Sequence, residues 1–276
     1  MKTRINPEDI QTVGELIEFL QTTSLFCKAG KQKPIEFFSR YDRGVLIDNI
    51  ENIPESWVFS FCKTIKGNTI DKYRDKIKSS KYAYYWACEF GGQEIDYMRD
   101  RIRDSEYAYY WAQVFKGQEI EFMRDRMRYD FRAYLWAKTF RGKEIELMRD
   151  RIRDSEYALL WAREFGGQEI ELMRDRIKRG YWAYAWAREF RGQEIELMRD
   201  KVTDDNSAFL WAKEFRGQEI DYMRDRITDE HWAYQWAKEF GGKEIDYMLN
   251  KIMDEEYRND LLDLKQNEEA CNENKN

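Results

Sequence analysis

The sequence predicts an all-α fold, an α-solenoid of about eight two-helix units with helical caps, and three observations support this. The chain has 276 residues, and most of it repeats with a period of 25 residues, which is typical of stacked helical units. Each period contains two stretches in which apolar residues recur at helical spacing. All three prolines lie before residue 55, so the rest of the chain lacks the residue that most disrupts helices. One tryptophan marks each repeat: Trp86, Trp111, Trp136, Trp161, Trp186, Trp211 and Trp236.

Residues 1–56 lie outside the repeat and are predicted to form a helical N-terminal cap or a small non-repeat domain. One helix is predicted from Pro7 to about Gln21, because apolar residues recur there at helical spacing. A second helix is predicted to open at Pro34, since proline is favoured in the first turn. A segment of this length would give a separate domain little core.

Residues 57–256 are predicted to form the tandem repeats, each made of two helices of about ten residues. In the first helix of a typical unit, Trp86 shares one face with two alanines and a phenylalanine. Gly92 follows that helix, where a glycine can adopt the left-handed conformation that ends it. The second helix places Ile95 and Met98 on one face. Because neither helix is stable alone in water, neighbouring units are expected to bury these faces.

The repeat weakens at both ends. The first copy is degenerate, with Phe61 in place of the tryptophan, and Gly67 keeps the register. From Asp254 onward there are eight acids and three bases. Residues 257–276 are therefore predicted to form a C-terminal capping helix and an acidic tail, frayed over residues 271–276.

The repeated motifs also resemble those of a known class of proteins. One unit runs Tyr-Ala-Tyr-x-Trp-Ala, Gly-x-Glu-Ile and Met-Arg-Asp-Arg-Ile between residues 82 and 102. This combination resembles short tandem α-helical repeats of uncharacterised bacteriophage and bacterial proteins, and it is more loosely similar to HEAT-type α-solenoids. The resemblance covers roughly residues 57–257. It implies a solenoid architecture and a phage-encoded protein in the host cytoplasm, and it carries no catalytic motif.

Positions shared by all the clear copies are assigned to the scaffold. Arg99 recurs in six copies and is replaced by Leu249 in the last. We predict that this arginine pairs with the Glu94 equivalent of an adjacent copy, in a ladder along the stack; the alternative is a repeated anion site. The recurring carboxylates are interpreted as solvated side chains that compensate the helix dipole. Specificity is expected at variable positions such as Tyr82 and Tyr85 and their equivalents.

A stripe of tyrosines and bases on the first helix of each repeat is the predicted partner-binding surface. Positions 84, 88 and 91 and their equivalents lie opposite the tryptophan on a helical wheel, and the stripe is expected to be exposed. It could stack nucleic-acid bases and contact phosphates, or bind an acidic protein surface. The alternative is that the rings pack between copies and the bases only solvate the surface. The predicted binding residues are Tyr109, Tyr134, Tyr184, Tyr234, Lys116, Lys138, Arg141, Arg163, Arg188, Arg191, Lys213, Arg216 and Lys238.

Composition and missing motifs argue against catalysis. The chain has one histidine, His231, and its net charge of −6 shows no basic excess typical of nucleic-acid-binding proteins. No metal-binding or phosphate-loop motif occurs, and no apolar run is long enough to span a membrane. Four cysteines without paired spacing, and no export signal, predict free thiols in a reducing cytoplasm.

The expected protein is therefore a monomeric, non-enzymatic scaffold without cofactor, metal, membrane contact or small-molecule substrate. It is expected to present an extended repeat surface to a macromolecule. A protein partner is favoured, and nucleic-acid binding along the stripe is the alternative.

Overall fold

The computed structural model describes residues 6–273, and for residue 29 and residues 271–273 it describes the backbone only. The fold is all-α, and its helices pair with a period of about 25 residues as in an α-solenoid, which confirms the predicted class. The chain divides into two compact units, Met1–Arg128 and Tyr129–Asn276.

The first unit contains the N-terminal cap, the degenerate copy and two full repeats. Its helices are α1 (Val13–Thr22), α2 (Lys28–Phe38), α3 (Glu55–Ile65), α4 (Thr69–Tyr73), α5 (Ser80–Phe90), α6 (Gln93–Arg99), α7 (Ser105–Phe115) and α8 (Gln118–Arg124).

The second unit contains five repeats and the C-terminal helix. Its helices are α9 (Asp130–Phe140), α10 (Lys143–Arg149), α11 (Ser155–Phe165), α12 (Gln168–Arg174), α13 (Gly180–Phe190), α14 (Gln193–Arg199), α15 (Asp205–Phe215), α16 (Gln218–Arg224), α17 (Glu230–Phe240), α18 (Lys243–Leu249) and α19 (Glu255–Glu273).

The N-terminal cap differs from the two helices predicted there. A 3-10 turn at Pro7–Asp9 precedes α1, which starts only after Thr12, because Thr12 and Glu15 form a capping box. The second helix begins six residues before Pro34, which lies inside α2 rather than at its start. Both predicted starts were wrong, since each was placed at a proline and the actual caps are Thr12 and Cys27.

Each full repeat pairs one helix of eleven residues with one of seven, so the prediction of two equal helices was wrong for the second. Two consecutive residues with positive φ separate them. Gly91 (φ 60°) and Gly92 (φ 51°) do this in the first full repeat, and a glycine follows the same course at each equivalent of position 92. This reversal brings the second helix back against the first.

The core is the stacked face of the first helices together with the methionine of the second. The seven repeat tryptophans and their flanking alanines are 0% exposed, as is Met98 with its equivalents. Phe61, which replaces the tryptophan in the degenerate copy, is half-buried. Ile95 was placed on the same buried face but is only half-buried, because Glu94 occupies the space beside the tryptophan.

Successive repeats are joined by a polar contact that the periodicity did not predict. The first residue of several long helices accepts hydrogen bonds from the turn of the next repeat. In the first unit, Ser80 Oγ accepts from Arg103 N at 2.8 Å. In the second, Asp130 Oδ1 accepts from Asp154 N at 2.9 Å. These bonds satisfy N–H groups in the turn before the next long helix.

The C-terminal helix α19 packs on α17 and α18. Leu261 is fully buried, and Tyr257 stacks on Tyr234 with ring centroids 4.4 Å apart. Leu262, the next residue, is 40% exposed. The helix continues to Glu273, and residues 274–276 of the predicted frayed tail lie outside the described part of the chain.

Candidate partner-binding surfaces

A buried ladder of tryptophan, glutamate and arginine links the repeats of each unit. Trp86 Nε1 donates to Glu94 Oε2 at 2.7 Å, and Arg74 of the preceding copy donates to Glu94 Oε1 at 3.0 Å. In the second unit the same carboxylate position binds an arginine 20 residues earlier, in the pairs Arg149–Glu169, Arg174–Glu194, Arg199–Glu219 and Arg224–Glu244.

The ladder confirms the predicted arginine pairing and corrects one interpretation. The glutamates of this position are only 3–9% exposed, so they are buried acceptors rather than solvated, dipole-compensating acids. Hydrogen bonds to Glu169 raise the pKa of the Arg149 guanidinium above its usual value. The last copy has Leu249 at the arginine position, where no further repeat follows. These carboxylates pair with the arginines. The arginines therefore have no free charge for the alternative, a repeated anion site.

The tyrosine–base stripe, the residues predicted above as the binding surface, has a buried half and an exposed half. Its rings are not exposed: Tyr109, Tyr134 and Tyr234 are half-buried, and Tyr184 is buried. They pack between copies, as Tyr134 does against Tyr157 at 6.4 Å between ring centroids. The expectation that position 84 is exposed was wrong, because the ring folds over the first helix of the next repeat.

The bases of the stripe are exposed, and most form ion pairs with the following copy. Lys138 Nζ and Arg141 Nη2 both lie 2.8 Å from Glu164. The hydrogen bond from Lys138 lowers the pKa of Glu164. Arg188 instead donates to the hydroxyl of Tyr184 at 3.4 Å. The other pairs are Arg163–Glu189, Arg191–Glu214, Lys213–Glu239, Arg216–Glu239 and Lys238–Asp260.

Backbone strain coincides with part of this stripe. The residues of the described chain with positive φ that are not glycine are all bases: Lys66, Lys116, Arg141, Arg191 and Arg216. Their φ values of 50–63° come with ψ near −160°, a region that essentially only glycine occupies, at a cost of about 1–3 kcal/mol. Glycine itself fills this position in three other copies. An exposed ion pair stabilises by about 0–1 kcal/mol, which does not offset the strain.

The second helices carry an exposed surface that the sequence analysis missed. One large apolar side chain per repeat is 37–51% exposed, directly before the buried methionine, and we call these residues the apolar row. Its members are Tyr97 and Phe122 in the first unit and Leu147, Leu172, Leu197, Tyr222 and Tyr247 in the second. The signal was present, since every full copy has Tyr, Phe or Leu at this position.

Acids flank the apolar row on both sides in every full repeat except the last, where Asn250 replaces the second acid. Glu171 precedes Leu172, and Asp175 follows it one turn later; all three are exposed. Neither acid lies within salt-bridge distance of a base in the described part of the chain, and the same holds for Glu146 and Glu196 beside the neighbouring leucines. The arginine between them, Arg174, is committed to the ladder. Elsewhere along the row the flanking acids are paired, as Asp150 is with Arg176 and Asp200 is with Arg226. This face therefore combines apolar side chains with acids of which only some are paired with bases.

The remaining reactive side chains form no recognisable centre. Among the described residues, no group of three His, Cys, Asp or Glu side chains is placed to hold a metal ion. His231 is exposed, with Nδ1 3.5 Å from the Tyr257 hydroxyl. Cys27 and Cys88 are exposed free thiols, and burial raises the pKa of Cys62 to about 12. Within residues 6–273, no helix has the length and apolar character needed to cross a bilayer.

No protein-family model matches the chain, and no curated protein matches it either.

Proposed function

We propose that this chain is a non-enzymatic, protein-binding repeat scaffold whose partner contacts the apolar row. One observation carries the proposal: half-exposed Leu, Tyr or Phe side chains recur once per repeat on one helix face. Exposed apolar side chains scattered singly need no explanation, but aligned ones mark interaction sites. The ladder and the tryptophan core support this by holding the second helices, and so the row, in a fixed register.

The row supplies part of the affinity and the acids supply the rest. Covering the exposed half of one leucine contributes ~1 kcal/mol. The five row residues of the second unit therefore contribute about 5 kcal/mol, which the loss of translational and rotational freedom on association largely offsets. Charge complementarity between the flanking acids and a basic partner would add affinity and raise the association rate. The partner is expected to carry apolar side chains between Lys or Arg residues.

The test compares the three row leucines with three exposed apolar residues elsewhere in the second unit. The row variant changes Leu147, Leu172 and Leu197 to serine. The control changes Phe131, Tyr181 and Met253 to serine; these residues have similar or greater exposure but lie off the row. Both variants should keep their helical circular dichroism, because exposed side chains contribute little to folding.

The wild type and both variants would be immobilised and used to capture proteins from the native host, with half of each sample treated with nuclease. The proposal requires a protein that the wild type and the control capture, that the row variant loses, and whose capture survives nuclease. Equal capture by the row variant and the wild type would refute it.

Nucleic-acid binding along the tyrosine–base stripe is the second candidate, and the strained bases favour it. Lys or Arg is kept at positions where glycine would relieve strain, and unexplained strain is a reason to look for function. Changing Arg141, Arg188, Arg191 and Arg216 to Glu should abolish such binding. Neutralising six or more phosphates would also make affinity fall ~10³-fold between about 50 and 200 mM salt. Capture that is insensitive to both changes would eliminate this candidate.

The resemblance of the repeat motifs to phage and bacterial repeats supports a further part of the proposal. We place the protein in the cytoplasm, as a monomer, acting on a host factor. Identification of the captured protein tests this directly.

A further inference from the structure

The N-terminal cap encloses an apolar cavity that the repeat function does not use. It has a volume of about 340 Å³ and lies between α1, α2 and α3. Its floor is formed by buried side chains, among them Leu16, Leu20, Phe38 and Val58, and Trp57 forms part of the wall. The cavity is open to solvent on one side. Its volume falls in the range of small-molecule sites, about 300–1,000 Å³.

The rim of the cavity differs from its floor. Cys27, Gly30, Lys33 and Ser60 line the opening and are exposed. The site is thus apolar inside and polar at the mouth. That arrangement suits a ligand with an apolar body and one polar end.

A positive charge at the rim, on Lys33, favours a ligand whose polar end is an anion. Lys33 makes no salt bridge or hydrogen bond with another described residue, and α2 has no acid in its first turn. Lys31, on the same helix, donates to the Thr23 carbonyl at 2.8 Å. Lys33 therefore offers an uncompensated positive charge beside an apolar cavity. At ~30 Å³ per water-sized group, the cavity accommodates about eleven such groups, which corresponds to a medium-length alkyl chain.

We propose that this cavity binds a medium-chain amphiphile, with its alkyl chain against the buried floor and its single anionic headgroup at Lys33. The headgroup can be a carboxylate or a phosphate, since either satisfies one ammonium group. The binding is reversible and involves no covalent step. It is independent of the apolar row, so failure of either proposal leaves the other standing.

The test uses the full chain and three twelve-carbon probes below their micelle concentrations: dodecanoate, dodecyl phosphate and neutral dodecanol. Calorimetric titration should show one site, with both anions bound at least tenfold more tightly than dodecanol. A preference of one anion over the other identifies the headgroup. Lys33→Gln should reduce the affinity for the anions about tenfold and leave that for dodecanol unchanged. Lys28→Gln is the matched control on the same helix, away from the cavity lining, and should change nothing.

The thiol of Cys27, at the rim of the cavity, tests whether the ligand binds in this cavity. Bound dodecanoate should slow alkylation of Cys27 severalfold and leave alkylation of Cys88 unchanged. A bulky residue at the mouth, Ser60→Phe, should abolish both protection and binding. If Ser60→Phe is misfolded, the affinity of Lys33→Gln and the alkylation of Cys27 in the wild type still test the proposal. Absence of binding to the wild type, equal effects of Lys33→Gln and Lys28→Gln, or binding that does not protect Cys27 would each overturn the proposal.

Discussion

Removal of a ladder carboxylate is expected to destabilise the second unit far more than removal of a surface carboxylate. Glu194 accepts a hydrogen bond from Trp186 Nε1 at 2.7 Å and from Arg174 Nε at 2.9–3.0 Å, and it is 7% exposed. Glu194→Leu removes the acceptor for both donors while filling a similar volume. Glu194→Gln keeps an oxygen for the indole and removes only the charge.

The expected loss of stability follows from the hydrogen bonds that Trp186 and Arg174 would lose. The indole N–H of Trp186 is fully buried, and an unsatisfied buried donor costs ~1–3 kcal/mol. Breaking a fully buried ion pair costs ~3–5 kcal/mol, but the Arg174 side chain is 26% exposed and can regain water. We therefore expect Glu194→Leu to lower the free energy of unfolding by ~3–4 kcal/mol, and Glu194→Gln by ~1–2 kcal/mol.

Glu164→Gln is the matched control. Glu164 also binds two bases, but both of its partners are exposed, so its loss should cost no more than ~1 kcal/mol. Urea unfolding followed by far-ultraviolet circular dichroism measures both. At 1 M salt the effect of Glu164→Gln should vanish and most of the Glu194→Leu effect should remain, because buried charges are screened less. If Glu194→Leu costs no more than the control, the ladder does not stabilise the stack.

Four further predictions concern the core, the reversal between helices and the thiols. Trp136→Ala should lower the free energy of unfolding by ~3–5 kcal/mol, because the ring is fully buried and its Nε1 donates to Glu144 at 2.7 Å. A loss below 1 kcal/mol in urea unfolding would contradict the burial of this tryptophan. Gly142→Ala should cost ~1 kcal/mol or more through its φ of 52° alone, since an added Cβ would meet nothing within 4 Å. Arg141→Gly, one residue earlier, should instead raise the free energy of unfolding by ~0.5–1 kcal/mol, because glycine relieves the backbone strain at this position. A lower melting temperature would show that residue 141 is not strained. Alkylation followed by mass spectrometry should modify Cys27 and Cys88 in the folded protein, and Cys62 only after unfolding, because the Cys62 thiol is buried with a raised pKa. Equal rates at Cys62 and Cys27 would contradict the burial.

Periodicity in the sequence was sufficient for the architecture. The 25-residue recurrence of Trp86 and Gly92 determined the helix pairing, because a residue type that recurs at every copy must occupy the same environment in each. The helical spacing around Trp86 likewise identified the buried face, and the loss of arginine at Leu249 identified the terminal copy. These inferences depend on local geometry, which the order of residues determines almost completely.

The tertiary structure decided which polar residues are buried and which apolar residues are not. A helical wheel assigns a face to each residue of one helix, but it cannot show where the next repeat lies. Glu94 is buried because Trp86 and Arg74 supply donors across that boundary. Tyr184 is buried on α13, which packs against α15 of the next repeat. Leu172 is a large apolar residue next to the buried Met173 and yet remains half-exposed. Contacts between residues some 20 or more positions apart set these outcomes, and spacing within one repeat contains no information about them.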